Sequence, residues 1–305
     1  MNTQIKIASR ESKLALWQAY YVQSLILNKL DVACDIITMK TQGDIILDRP
    51  LNKIGGKALF MKELEIAIIN GNADIAVHSL KDVPYELPEG FKLVSFMPRE
   101  DPRDAFVSNS YTSIDDLPIG AVVGTSSMRR KSQLLNYRND LVIKNLRGNV
   151  QTRLSKLDNG DYDAIVLASA GLIRLELHNR IAQYIPVEIS LPAVGQGIVV
   201  IESLATDENV CEQMLKLNDK TSHIVAMAER AFNEELKGGC HVAIAAHATI
   251  DNESLSLEAM VSNDDGTKIL KEFMFGDIKK PKELGKKLAC LFIELGAYDI
   301  LGNKS

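Results

Sequence analysis

Asp74-Ile-Ala-Val-His78 is a short, almost unbroken apolar run closed at both ends by polar residues. A parallel strand buried on both faces has this character, because neither face asks for a polar side chain. Upstream, Ile5-Lys-Ile-Ala8 reads as a first strand and Asp35-Ile-Ile-Thr-Met39 as a second. Between them Ser12 is a suitable N-cap for a helix that carries Leu14, Trp17, Tyr21 and Leu25 on one face. Leu59, Met61, Leu64, Ala67 and Ile68 recur at helical spacing before Asp74. The resulting βαβαβ order predicts a doubly wound α/β lobe.

The rhythm restarts after a proline-marked crossing at Pro98 to Pro102. Strands are expected near 105–107, 121–123, 141–143 and 164–167, with helices at 128–135 and 150–157 between them. A second crossing, Leu191-Pro-Ala-Val-Gly-Gln-Gly197, precedes a strand at 198–201 and a helix near 209–217 that return to the first lobe. Two crossings between two lobes suggest a hinge. The last third changes character: a helix over 221–236 stops at Gly238-Gly239. Three β-like stretches (242–250, 254–261, 268–275) and a closing helix (281–295) follow, with Asp264-Asp265-Gly266 as a turn. The expected division is therefore 1–97 with 197–217, then 98–196, then an α+β module over 218–305.

A chain of 305 residues exceeds the usual single core, in keeping with several domains. Its net charge of -5 argues against a nucleic-acid binder that works by broad phosphate neutralisation. Four scattered cysteines without a CxxC pair suit reduced thiols rather than disulfides or zinc, and the five histidines show no metal-binding spacing. The start shows no secretory signal, and the longest nearly apolar stretch, 164–173, is too short to span a bilayer. A cytoplasmic protein with no membrane partner is expected.

Eleven of the twelve arginines lie at or before Arg180, so a multi-arginine anion site belongs to the first two thirds. Gly124-Thr-Ser-Ser-Met-Arg-Arg130 follows one strand and opens a helix, bringing Thr125, Ser127, Arg129 and Arg130 to a strand's carboxyl end. Arg147 and Arg153 repeat the arrangement after the next strand, Arg174 after the one beyond, and Arg10 and Ser12 after the first strand of the chain. The planar guanidinium fork suits carboxylates. A solvated Arg-Arg-Lys helix face is the plainer alternative for Arg129 and Arg130. Lys53, Lys57 and Phe60 flank a glycine-rich basic loop that lacks P-loop order, and an ordinary exposed loop accounts for it equally well. His78-Ser-Leu-Lys81-Asp82 ends the third strand. Asp82 is either a turn residue or a carboxylate that stabilises a developing cation, with Asp44 a weaker candidate for that duty. Cys240 is either a packing thiol or a covalent tether on the loop after Gly238-Gly239.

These segments, taken in order, resemble the porphobilinogen deaminase (hydroxymethylbilane synthase) family along almost the whole chain. The resemblance rests on Arg10-x-Ser12-x-Leu14-Ala15, Gln42-Gly-Asp44, Gly55-Gly56-Lys57, His78-Ser-Leu-Lys-Asp-Val-Pro84 and Arg99-Glu-Asp-Pro-Arg-Asp-Ala105. It continues through Gly124 to Arg130, Leu146-Arg-Gly-Asn149, Leu191 to Gly197 and Gly238-Gly-Cys240. It implies two lobes like type II periplasmic binding proteins, a third domain bearing the cysteine, and a transferase of haem biosynthesis. It further implies a dipyrromethane cofactor joined through a thioether at Cys240, onto which four porphobilinogen molecules are condensed with loss of ammonia before hydrolysis releases hydroxymethylbilane. By the same resemblance Asp82 stabilises the cation, and Arg10, Ser12, Lys81, Thr125, Ser127, Arg129, Arg130, Arg147, Arg153 and Arg174 bind the acetate and propionate groups. Lys53, Lys57 and Phe60 lie on or beside a mobile loop. No metal is implied, the substrate is a small molecule, and a monomer is expected. Lys13 and Ala243 stand where proline is common in the family, and Met128 replaces another apolar residue.

Two other functions fit parts of the pattern. A non-catalytic two-lobed anion-binding module leaves Cys240 and Asp82 unexplained. A thiol hydrolase requires a histidine, His241 or His78, in reach of Cys240.

Overall fold

The computed structural model describes residues 4–45, 61–238 and 242–302. Lys53, Lys57, Phe60, Cys240 and His241, and Leu59 of the expected second helix, lie outside them. The chain divides into two compact units, Met1–Glu100 with Ile198–His223 and Asp101–Gly197 with Ile224–Ser305.

The first unit begins with β1 (Gln4–Arg10), α1 (Lys13–Leu30), β2 (Ala33–Met39), α2 (Gln42–Ile45), α3 (Lys62–Ile69), β3 (Ile75–Ser79) and β4 (Phe91–Phe96). The second contributes β5 (Asp104–Val107), β6 (Val122–Gly124), α4 (Met128–Tyr137), β7 (Val142–Lys144), α5 (Val150–Asp158), β8 (Ala164–Ala168), α6 (Ser169–Arg174) and β9 (Gln183–Tyr184). The chain returns to the first unit for β10 (Val199–Leu204) and α7 (Glu208–Leu215). Thereafter α8 (Lys220–Glu235) leads to β11 (Ala243–Asp251), β12 (Ser254–Ser262), β13 (Ile269–Asp277), α9 (Pro281–Glu294) and α10 (Ala297–Ile300).

Three sheets result, with strand orders β2-β1-β3-β10-β4, β7-β6-β8-β5-β9 and β11-β12-β13. In the first, β1 runs parallel to β2 and β3, and β10 is antiparallel to both β3 and β4. In the second, β6 runs parallel to β7 and β8, and β5 is antiparallel to β8. The first two sheets, each flanked by helices, are the two α/β lobes that the sequence predicts. The third is an antiparallel meander whose Leu255, Leu257, Ala259 and Val261 are fully buried.

Ser12 caps α1 as expected, its hydroxyl accepting from Ala15 N at 3.3 Å. The buried face of α1 differs from the expected one: Ala15, Gln18, Ala19, Val22 and Ile26 are turned inward, while Leu14, Trp17, Tyr21 and Leu25 are half-buried. The strand β4, the short β9 and the helix α6 were not anticipated. On β4 the apolar positions do not alternate, because Phe91 and Val94–Phe96 are buried while Lys92 and Leu93 are half-buried, and its pairing shifts at Ile201/Glu202.

Candidate active site

In the first unit the fully buried core of β3 delivers the chain to a single 3-10 turn, Leu80–Asp82. Contacts from α1 and from Ile198 help to hold that turn. Gln18 Nε2 donates to Ser79 Oγ at 2.7 Å, Leu80 N donates to Ile198 O at 2.9 Å, and the Leu80 side chain is buried. Lys81 is half-buried and Asp82 is exposed, so the turn presents one cation and one carboxylate from a rigid base. Arg10 ends β1. Its Nε donates to Asp44 Oδ2 at 3.1 Å and its Nη2 pairs with Asp44 Oδ1. Asp44 also accepts from Thr41 Oγ1 at 2.8 Å. Burial pushes the Asp44 carboxyl up, but the bonds and charge from Arg10, with those from Thr41, leave it below the usual range. Asp44 is thus committed to orienting Arg10.

In the second unit the parallel strands β6, β7 and β8 end along one edge, and the loops that follow carry the predicted groups. Thr125 N donates to Lys144 O at 2.9 Å, Ser126 Oγ donates to Leu146 O at 2.8 Å, and Leu146 N donates back to Ser126 Oγ at 3.1 Å. These bonds fasten the first loop to the second. Ser127 caps α4 by accepting from Arg130 N, and Asn149 caps α5 by accepting from Thr152 N. Gly124 is required by close approach, since a Cβ there would stand 2.8 Å from the Tyr162 ring. Gly148 turns the second loop at φ +112, a conformation that L side chains rarely adopt. Arg153 Nε donates to Gly148 O at 2.7 Å and Arg174 Nη2 to Gly197 O at 2.6 Å. Arg147 is half-buried.

Arg129 and Arg130 do not lie on a solvated helix face: they are 4% and 6% exposed. Both turn onto Asp104, which opens β5 and is wholly buried. Arg130 Nη2 and Nε donate to Asp104 Oδ1 at 2.7 and 3.0 Å, and Arg129 Nη1 lies 2.9 Å from Oδ2. Ser190 Oγ and Gln196 Nε2 complete the shell at 2.8 and 3.0 Å. Burial alone would push the Asp104 carboxyl up. The charges and hydrogen bonds of the two arginines override it and hold the group well below the usual carboxylate range. Arg129 also donates to Leu191 O at 2.6 Å and Arg130 to Val166 O at 3.1 Å. Two guanidiniums against one carboxylate leave this buried cluster with excess positive charge, and the fork geometry is fixed before any anion arrives.

Asp104, Ser190, Gln196 and Gln18 are residues that the sequence reading did not single out as working parts. For Asp104 a signal was present: an acidic residue directly preceding the wholly apolar Ala105-Phe-Val107 needs a buried partner. His78, one of the two histidines either of which could serve a thiol hydrolase, is buried with Nε2 2.9 Å from Glu202 Oε2. Among the described residues no group of histidine, cysteine and acidic side chains is arranged to hold a metal ion, and no helix is long and apolar enough to cross a membrane.

Residues 5–212 match the family model "Porphobilinogen deaminase, dipyromethane cofactor binding domain", and residues 223–294 match "Porphobilinogen deaminase, C-terminal domain". The chain belongs to the porphobilinogen deaminase family. Relatives named porphobilinogen deaminase from Francisella tularensis subsp. novicida (strain U112) and subsp. holarctica (strain OSU18) are 72% and 71% identical. Each alignment covers 98% of this chain and 99% of the relative. Among solved structures, the VFT2 domain of Bordetella pertussis BvgS (a double mutant) aligns at 15% identity over 71% of this chain and 87% of that one, with a TM-score of 0.46. The cofactor of this family carries acetate and propionate groups. The guanidiniums and hydroxyls that follow β6, β7 and β8, with Asp104 already paired to two arginines, fit them chemically.

Proposed function

We infer that this chain is a transferase that condenses four porphobilinogen molecules head to tail and releases hydroxymethylbilane. The observation that carries this reading is the family match across both ends of the chain, joined to a preorganised set of guanidiniums on the carboxyl edge of one sheet. The dipyrromethane cofactor, attached through Cys240, supplies the nucleophilic pyrrole carbon on which the product is built. The chain's own residues do the rest.

Each incoming porphobilinogen loses ammonia to give an electrophilic azafulvene. Asp82, exposed on a rigid turn, stabilises the positive charge and accepts hydrogen bonds from pyrrole N–H groups. Lys81 beside it, with Arg10 and Ser12, binds acetate and propionate groups. So do Thr125, Ser127, Arg129, Arg130, Arg147, Arg153 and Arg174. Several of these arginines already spend part of their fork on backbone carbonyls or on a carboxylate, which fixes the remaining N–H groups and lowers the entropy lost on binding. By the same resemblance Lys53, Lys57 and Phe60, which lie outside the described residues, are proposed to act beside the substrate. The reading divides the chain into three domains, 1–97 with 197–217, 98–196 and 218–305. The gap between the two family matches, at 212 and 223, supports the last division. The enzyme is proposed to work as a cytoplasmic monomer on a small-molecule substrate, without nucleic acid or membrane.

The test is turnover of porphobilinogen by the purified protein, with ammonia and linear tetrapyrrole measured together. Wild-type protein yields both in a fixed ratio. Asp82→Ala retains the fold and its bound cofactor and loses turnover by about a hundredfold or more. Retained turnover in Asp82→Ala would remove the cation-stabilising role.

A further inference from the structure

Between β9 and β10 the chain forms no helix or strand, yet Ser190, Leu191, Pro192 and residues 195–197 are buried. A buried irregular segment cannot leave its backbone groups to water, so other groups of the protein must meet them. Two sets of side chains from the second compact unit do so. The first belongs to the arginine site. Arg129 Nη1 donates to Leu191 O at 2.6 Å and Arg174 Nη2 to Gly197 O at 2.6 Å. Gln196, itself wholly buried, donates from Nε2 to Pro102 O at 2.6 Å and to Asp104 Oδ1 at 3.0 Å. The second set centres on Glu229 of α8, also wholly buried. Its Oε2 accepts from Gly195 N at 2.6 Å and its Oε1 from Ala248 N of β11 at 2.8 Å.

The two sets meet in three consecutive residues. Gly195 and Gly197 both hold left-handed backbone, at φ +71 and +91. Glycine is conformationally permissive, so this stretch depends on its bonds to keep one shape. A displacement of Gly195 N passes directly to the Gln196 side chain and to Gly197 O, which hold Asp104 and Arg174. Leu191, packed against Ala245 and Met260, ties the start of the crossing to the third sheet as well. An apolar side chain at 229 would fill the same space but leave the Gly195 and Ala248 N–H groups without this acceptor.

We propose that Glu229 is a positioning residue for the arginine site, acting through residues 195–197 on Asp104 and Arg174. Arg129 and Arg130 are reached through Asp104, with which both are paired. The helix α8, which precedes Cys240 in the chain, thus sets the spacing of the guanidiniums that receive acetate and propionate groups. Being wholly buried, Glu229 acts by fixing the groups that aim the forks and not by touching substrate. The carboxylates that the forks bind take no part in bond making. A loosened fork therefore weakens ground state and transition state alike, and the loss appears in KM.

The proposal rests on the reading of these arginines as carboxylate binders, and Arg174→Ala separates the two. Cofactor-loaded enzyme carrying Glu229→Met, Arg174→Ala or Leu255→Ala is assayed for kcat and KM with porphobilinogen, and for Tm. Methionine is close to glutamate in length and accepts only weakly, so both N–H groups lose their partner. Glu229→Met raises KM about tenfold with kcat within about twofold, and Arg174→Ala raises KM as well. Leu255→Ala removes a fully buried side chain opposite Ile250 and Gly276, away from the crossing. It lowers Tm and leaves KM at the wild-type value, so lost stability alone does not move the readout. Wild-type KM in Glu229→Met beside a raised KM in Arg174→Ala would overturn the proposal and leave the arginine reading standing. A rise in Leu255→Ala equal to that in Glu229→Met would overturn it too. Wild-type KM in Arg174→Ala would remove the arginine reading, and the proposal with it. Should Glu229→Met fail to fold, Gln196→Leu decides by the same readout, because it cuts the next link and leaves both Glu229 bonds in place. Wild-type KM there would equally overturn the proposal.

Discussion

Asp104→Ala tests whether the arginine pair is built around a single buried carboxylate. The substitution leaves Arg129 and Arg130, both almost wholly buried, without their common counter-ion. Ser190 Oγ and Gln196 Nε2 lose their acceptor as well. Removing one partner of a buried ion pair destabilises by about 3–5 kcal/mol. For a folding unit of this size each kcal/mol lowers Tm by about 2–4 °C, so a fall of roughly 6–20 °C is expected. The neighbouring Asp101→Ala is the control. Its pair with Arg103 spans 2.6 Å, but the arginine side chain is 42% exposed. Such a pair contributes about 1 kcal/mol or less. The pH dependence follows from the depressed carboxyl of Asp104. Its contribution is fully present above the ordinary unfolded carboxylate range and is lost only as pH falls through the lower folded value. The gap between wild type and Asp104→Ala is therefore constant near neutrality and closes only in strong acid. Thermal unfolding of the three proteins at several pH values is the assay. A fall no larger than that of Asp101→Ala would refute the reasoning, as would a gap that closes already near neutral pH.

Other expectations follow from single sites. Glu65 has a folded pKa raised to about 7, so its contribution favours the fold at low pH and is lost as pH rises through that value. Glu65→Gln should therefore unfold later than wild type above pH 7, by about 1 kcal/mol after allowance for solvent screening, and a denaturant midpoint there measures it. Gly148→Ala places a side chain at φ +112 and a Cβ 2.7 Å from Thr152 Cγ2, so a loss of about 1–3 kcal/mol is expected in urea unfolding. The Cys34 thiol is pushed up to about 11, by burial first and then by Asp35 and Asp74. Alkylation of the native protein near neutral pH should modify the exposed Cys290 and leave Cys34 and the buried Cys211 intact, as peptide mapping would show.

Much of the fold was legible because periodicity reports burial directly. Asp74 to His78 reads as a buried strand and is one, and Ser12 reads as a cap and is one. The errors arise where the pattern is mute. On α1 the stripe Ala15, Gln18, Ala19, Val22 and Ile26 is turned inward rather than Leu14, Trp17, Tyr21 and Leu25, and hydrophobicity does not say which of two adjacent stripes will be pressed inward. The strand β4 does not alternate, so neither period marks it. At the site, residue types and strand-end positions were readable, while pairings were not. Nothing local links Asp104 to Arg129 and Arg130, 25 and 26 residues away, or Glu202 to His78, 124 residues away. Those contacts are products of sheet topology.

In the proposed reaction Cys240 carries the covalent primer. The most direct measurement is the mass of the purified native protein, with the adduct located by peptide fragmentation before and after porphobilinogen is added. The account predicts a dipyrromethane-sized increment on the peptide containing Cys240, with further single-pyrrole increments on the same peptide after substrate. An increment on Cys34, Cys211 or Cys290, or an unmodified Cys240 after incubation with porphobilinogen, would contradict it.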